Sequence, residues 1–178
     1  FDVNKDLIDI GKKHLKKNKV ELIDQKKIFD VIKDSKEDVV TMISTLEHLQ
    51  HPNLILKYIK NSNIKYLYIV VPLFSFSSLV ENVFRNVYPR QLSGSHTHLY
   101  TKESIDYMVK KNNFKILGEW WFGTDISDLF RSMLLNSKYN DKKYLDHYKF
   151  FFGDHVDELQ NVLDKKKLSC EVHMVLKI

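Results

Sequence analysis

Four short apolar runs set the fold class. KYLYIVVP (65–72) is rich in β-branched and aromatic residues and stops at a proline, which cannot donate to a ladder. DVVTMIS (38–44), an apolar run with the β-branched residues expected of a buried parallel strand, KILGEWWFG (115–123) and CEVHMVLKI (170–178) have the same strand character. Helix-patterned segments stand between them. PNLILKYIKNS (52–62) places Pro52 where a first helical turn tolerates it. TKESIDYMVKKNNF (101–114) opens on Thr101, a good N-cap, with Glu103 at the positive end of the helix dipole. Ser104 stands where a Glu or Gln would close a capping box, so a full box is not expected. This alternation predicts an α/β fold: a Rossmann-like three-layer sandwich with a mainly parallel sheet. The last strand has no helix after it and is expected to insert antiparallel.

The rest of the chain fits around that frame. Residues 4–17 carry apolar residues at helical spacing behind Asn4, a plausible N-cap. VELID (20–24) reads as a short strand, and 26–35 as a short helix or loop. Residues 74–98 mix aromatics, serines and two arginines over a length that marks a functional insertion with a helix inside it. Trp120 and Trp121 should point to opposite faces of their strand. Residues 125–168 look helical, with polar interruptions near NSKYNDKKY, and Asp125, Asp128 and Arg131 have the spacing to pair with one another. One domain over 1–178 is expected, with insertions at about 73–99 and 125–168.

Composition narrows the setting. No apolar stretch approaches the ~18–20 residues that span a bilayer, and no signal peptide is visible. The single Cys170 excludes an internal disulfide framework and sits in an apolar run, as a buried strand thiol would. The cytoplasm is the expected compartment, without membrane attachment. The net charge of +5 comes from lysines scattered over apparent helix faces, which favours a solvated surface over a nucleic-acid groove. Nothing in the sequence sets the oligomeric state.

Four motifs in order resemble one family. DVVTMISTLEHLQHP has an acidic residue (Asp38), an apolar strand, then Leu46, Glu47, His48, Leu49 and Pro52. It resembles the fourth strand and following turn of class I S-adenosylmethionine-dependent methyltransferases, small-molecule type. YIVVP resembles the fifth strand of that family. HTHLYTKESIDYMVKKNNFKILG resembles its His-rich lead into a Thr-capped helix and the sixth strand, and CEVHMVLKI resembles the seventh. The family's first strand ends in a Gly-x-Gly loop. None of the five glycines (11, 94, 118, 123 and 153) forms one, so the chain is expected to begin at the second strand of a longer native protein, N-terminally truncated.

The resemblance implies roles for particular residues. S-adenosyl-L-methionine would be the cofactor. Asp2, followed by Val3, would accept hydrogen bonds from the ribose hydroxyls. Asp24 would bond the adenine amino group, and Gln25 would offer its backbone N–H to the ring. Ile43 and Ser44, with Thr45, would run beside the methionine part. His48 and His98 are the candidate catalytic residues, because an imidazole can take a proton from an attacking hydroxyl or amine. His48 can equally cap a turn, and Glu47 can sit in a surface pair. His96, Arg85 and Tyr88 are candidate acceptor contacts, with Arg90 and nearby phenylalanines as further ones; the arginines suit a carboxylate or phosphate.

A metal reading stands beside these. Small-RNA terminal 2′-O-methyltransferases and certain quinone O-methyltransferases resemble Glu-x-x-Glu-His at this place. Here Ser44 replaces the first Glu, which removes a charged oxygen ligand, so no metal is expected. His96 and His98, two apart on an extended segment, would be the residues to complete such a site with Glu47 and His48. The expected function is methyl transfer to a small-molecule or sugar-like acceptor. A metal-assisted RNA 2′-O-methyltransferase and a non-catalytic, partner-binding module of the same fold are the alternatives.

Overall fold

A computed structural model of the chain describes residues 4–14, 20–87, 89–92, 96–136 and 146–178. Its centre is a four-stranded sheet in the order β1-β2-β4-β3, with β1 Val39–Ile43, β2 Tyr66–Pro72, β3 Lys115–Phe122 and β4 Glu171–Lys177. β1 and β2 pair in parallel, with Met42 opposite Ile69. β4 runs antiparallel to both of its neighbours, β2 and β3. β1, β2 and β3 therefore point one way and the closing strand points the other, as the sequence leads one to expect.

Alternation along the strands divides the sheet into two faces. Leu67, Ile69, Val71, Val172, Met174, Leu176 and Trp121 lie on one face. They form a single core with α2 (Ile28–Lys33), α3 (Pro52–Lys60) and α5 (Lys102–Asn112), which contribute Ile32, Ile55, Leu56, Ile59, Ile105 and Met108. Burying a side chain of this size contributes roughly 1.5–3 kcal/mol. The opposite face carries Tyr68, Trp120, Phe122 and His173, whose rings touch one another. Trp120 is 60% exposed and Trp121 is 7% exposed, so the two tryptophans do face opposite ways.

Local signals explain most element boundaries. Asn4 caps α1 (Lys5–His14), its Oδ1 accepting from the backbone N–H of Asp6 at 2.9 Å. Pro52 occupies the first turn of α3. Asn113 closes α5 in the left-handed conformation, φ 55°. A helix, α4 (Phe76–Val83), lies inside the segment after β2. α6 (Asp125–Asn136) and α7 (Val156–Lys165) follow β3, with a π turn at Lys149–Gly153 before α7.

Three expectations are corrected. Thr101 and Ser104 do form a complete capping box, because the serine hydroxyl reaches back to the Thr101 N–H at 2.8 Å. VELID is not a continuous strand among the described residues: Leu22 makes a bridge, and Asp24 caps a 3-10 turn, Gln25–Lys27, by accepting from the Lys26 N–H. β1 lies at the sheet edge among the described residues, so Val39 and Ile43 are exposed and not buried between strands.

Candidate active site

The carboxyl ends of β1, β2 and β3 meet at one rim of the sheet. At the end of β1 the Ser44 N–H still bonds the Val70 carbonyl, and then Ser44 takes a left-handed backbone conformation, φ 47°. A serine there is strained by roughly 1 kcal/mol relative to ordinary backbone. The turn sends the chain directly into the single 3-10 turn Leu46–His48. Leu46 is buried in the core, which anchors the turn and aims Glu47 inward and His48 outward.

The segment before α5 is stitched across this turn. The backbone N–H groups of Thr97 and His98 both donate to the Glu47 carbonyl, at 2.8 and 3.2 Å. The Thr97 hydroxyl donates to the same oxygen at 2.7 Å. Two residues on, Tyr100 lies parallel to Leu73 and exchanges backbone bonds with Pro72 and Phe74. Residues 96–100 thus lie between the ends of β1 and β2, and this brings a third histidine to the rim.

Glu47, His48 and His96 converge. One ligand-type atom from each lies within 4.8 Å of the other two. The His48 Nε2 is 3.8 Å from Glu47 Oε1, and the two imidazole rings meet edge to face with centroids 4.9 Å apart. His96 Nδ1 is 3.0 Å from the Gln91 carbonyl oxygen. Glu47 is 1% exposed, and its Oε2 has no hydrogen-bond partner. Burial pushes its carboxyl above the usual range, with the Glu171 charge adding a little, against the lowering effect of a hydrogen bond from its own backbone and then of the two histidines. Tyr100, beside it, also has an unpartnered buried hydroxyl, and burial together with Glu47 pushes its phenol up to about 12.

His98 does not join the cluster. Its Nδ1 meets the Thr97 hydroxyl at 2.8 Å and its ring stacks beside Tyr100. The expectation that both histidines of the His-x-His would turn the same way gives way to the Thr97 stitch. Ile43 is 58% exposed at the rim, next to Ser44. A cleft of about 320 Å³ runs along β1, lined by residues including Ile23, Ile28, Ile32, Val40, Met42 and Thr45. Asp24 lies exposed immediately after Ile23. Gln25 opens the 3-10 turn that Asp24 caps. Asp2, Val3 and Tyr88 lie outside the described residues. Arg85 is exposed, its Nε donating to the Asn82 carbonyl.

A second polar cluster at the same rim escaped sequence reasoning. Asp125, fully buried, accepts from the Ser75 hydroxyl, the Ser77 and Cys170 N–H groups and the Gln160 amide. Asp128 accepts from Arg90, Ser77 and Thr124, so Arg90, half exposed, is tied to the scaffold through Asp128. Glu81 accepts from the N–H groups of Arg90, Gln91 and Leu92. Cys170 is buried, and its thiol is pushed up to about 11 by burial and then by Asp125, which keeps it protonated and inert at neutral pH.

No protein-family model matches the sequence, and no curated protein does. The fold has clear counterparts among solved structures. An S-adenosylmethionine-dependent methyltransferase from Archaeoglobus fulgidus superposes with a TM-score of 0.57 at 16% identity, over 99% of this chain and 74% of that one. A candidate sarcosine dimethylglycine methyltransferase from Galdieria sulphuraria gives 0.55 at 7% identity, over 99% and 67%. A candidate methyltransferase from Bacillus halodurans gives 0.52 at 14% identity, over 99% and 80%. The strand directions, the site at the carboxyl rim and these superpositions agree: the chain has the fold of the class I S-adenosylmethionine-dependent methyltransferases.

Proposed function

We propose that the protein is an enzyme that transfers a methyl group from S-adenosylmethionine to a small-molecule or sugar-like acceptor at the carboxyl rim of β1 and β2. The observation that carries this reading is the left-handed turn at Ser44. It opens the rim between an apolar cleft and the histidine cluster, where a donor and an acceptor can meet. Two features of the chain fit the cofactor. The cleft along β1 is apolar and of a size that takes a nucleoside. Ile43 leaves apolar surface exposed beside the polar Ser44 and Thr45.

When bound, the cofactor supplies an activated methyl group on a sulfonium. The chain's own residues do the rest. Asp24, next to the cleft, offers the carboxylate oxygen that its cap leaves available to the adenine amino group, with the Gln25 backbone beside it. Asp2 and Val3 are assigned to the ribose on sequence alone. Ile43 and Ser44 flank the methionine portion. His48, exposed on the rim, takes the acceptor's proton, with His98 as the second candidate. His96, Arg85 and Tyr88 are assigned to the acceptor. Alignment of donor and acceptor and exclusion of water provide most of the rate in such a reaction.

The test is calorimetric titration of S-adenosylhomocysteine into this chain and into the native gene product. Saturable binding to the native product, weakened by Asp24→Ala, supports the assignment. If neither protein binds, the reading fails, and a non-catalytic role for the same fold takes its place.

A further inference from the structure

We propose that the cavity between α4, the start of α5 and the turn from α7 into β4 binds an apolar monocarboxylate, a small molecule with a hydrocarbon body and one terminal carboxylate. This goes beyond the methyl-transfer reading and does not depend on it. Three observations carry it.

The first is a buried floor under an exposed apolar mouth. The cavity has a volume of about 550 Å³, within the roughly 300–1,000 Å³ of small-molecule sites. Leu73, Ser75, Trp121 and Ser169 line it and are buried. Phe74, Phe76, Leu79 and Leu168 line it too, yet they are 56%, 37%, 52% and 55% exposed. Single apolar side chains on a surface need no explanation, but four around one cavity form a patch that a ligand would cover. None of Glu47, His48 and His96 lines it, so it is separate from the histidine cluster.

The second is charge. Lys102, Lys166 and Lys167 line the cavity, with Glu103 as the one acid among the described lining residues. Glu103 is answered locally: its own backbone N–H and then the Thr101 hydroxyl hold its carboxyl below the usual range. Lys102 and Lys167 bond Asp106 and Glu119, acids outside the wall. Both pairs are partly exposed, and such pairs hold weakly, so either ammonium can turn to a carboxylate in the cavity. Lys166 is exposed and forms no ion pair among the described residues.

The third is the backbone at Lys167. The Lys167 N–H bonds the Asp164 carbonyl and the Leu168 N–H bonds the Leu163 carbonyl, which closes α7. Lys167 takes the left-handed conformation there, φ 58°. Glycine fills such a place without strain and lysine does not. The lysine brings an ammonium to 5.5 Å from the centroid of the Trp121 ring, at the cavity floor. An apolar wall suits a hydrocarbon body, and ammonium groups beside it suit an anion.

Octanoate is the probe, with 1-octanol and octylammonium as its neutral and cationic counterparts. Each is titrated into the protein and followed by ¹H–¹⁵N NMR. The two indole N–H groups report separately, because Trp121 lies at the cavity floor and Trp120 on the opposite face of the sheet. The expected result is saturable shifts at Trp121, Leu79 and Leu168 with Trp120 unmoved, and octanoate bound at least about 10-fold more tightly than either counterpart. Leu79→Glu puts an acid on the wall and should weaken octanoate by about 10-fold. Leu135→Glu, at an exposed leucine outside the wall, should leave it within about 2-fold. Lys167→Gly separates the site from the fold. It should weaken octanoate by about 3-fold or more while the unfolding midpoint is unchanged or higher. If Leu79→Glu does not fold, Lys167→Gly decides. Absence of a saturable Trp121 shift at about 5 mM octanoate, equal binding of octanol or octylammonium, or unchanged affinity in the folded wall variants would each overturn the proposal.

Discussion

Two buried carboxylates at one rim of the sheet are built in opposite ways. Asp125 accepts from four donors drawn from α4, α7 and the start of β4, and every one of them is a group that folding had to satisfy anyway. Glu47 is as deeply buried, yet one of its oxygens meets nothing and its carboxyl is pushed up by burial. A buried charge that is fully bonded holds a fold together. One left half-bonded weakens it, and is worth keeping only for something the fold itself does not need. Asp125 is bonded into the scaffold, and Glu47 is not bonded to the same extent.

The comparison breaks most visibly at Asp125. Asp125→Ala strips a serine hydroxyl, two backbone N–H groups and an amide of their acceptor at once, and should cost about 3–5 kcal/mol in urea unfolding. Gly123→Ala attacks the same network from the side. An added Cβ would sit 2.5 Å from Asp125 Oδ2 and 2.8 Å from the Cys170 backbone nitrogen, with no flexible neighbour to yield, so a loss of about 1–3 kcal/mol is expected by the same measurement. Glu81→Gln tests whether the loop 90–92 belongs with the scaffold. It replaces an acceptor of three backbone N–H groups with a weaker one, for a loss of about 1–2 kcal/mol and faster amide exchange at Gln91.

Glu47 predicts the reverse sign. Its folded-state carboxyl holds its proton more tightly than the unfolded chain does, so stability falls as pH rises from the ordinary carboxylate range through the raised folded value. Glu47→Gln removes that dependence. In chelator, the variant should gain on the parent protein as pH rises from about 4 upward, and the two should converge at lower pH, where Glu47 is protonated in both folded and unfolded chains.

How far this division was legible in the sequence depends on the range of the interaction. Strand character is local, and so the runs 65–72, 115–123 and 170–178, and the antiparallel closing strand, could be read from residue type and order. So could the caps at Asn4 and Thr101 and the opposed tryptophans. VELID shows a bridge at Leu22 and no longer ladder among the described residues, because strand character is only half of a strand and its pairing is the other half. Ser104 closes its box because a hydroxyl on a short side chain suffices at that distance, which residue preference alone does not reveal. At the site, Glu47 and His48 stood out in the sequence. The choice of His96 over His98 did not, because it is made by Thr97 bonding a carbonyl fifty residues away. Asp125 read as a helix-surface acid, paired with Asp128 and Arg131. Arg131 does approach Asp128 at 3.7 Å, but Asp125 bonds residues distant along the chain, and spacing carries no trace of that.

The most direct test of the division between scaffold and site is paired urea unfolding of Glu47→Gln and Asp125→Asn at pH 7.5 in chelator. The account predicts that Asp125→Asn loses at least about 2 kcal/mol while Glu47→Gln is unchanged or more stable than the parent protein. Equal losses in the two variants would contradict it and would make Glu47 one more strut of the fold.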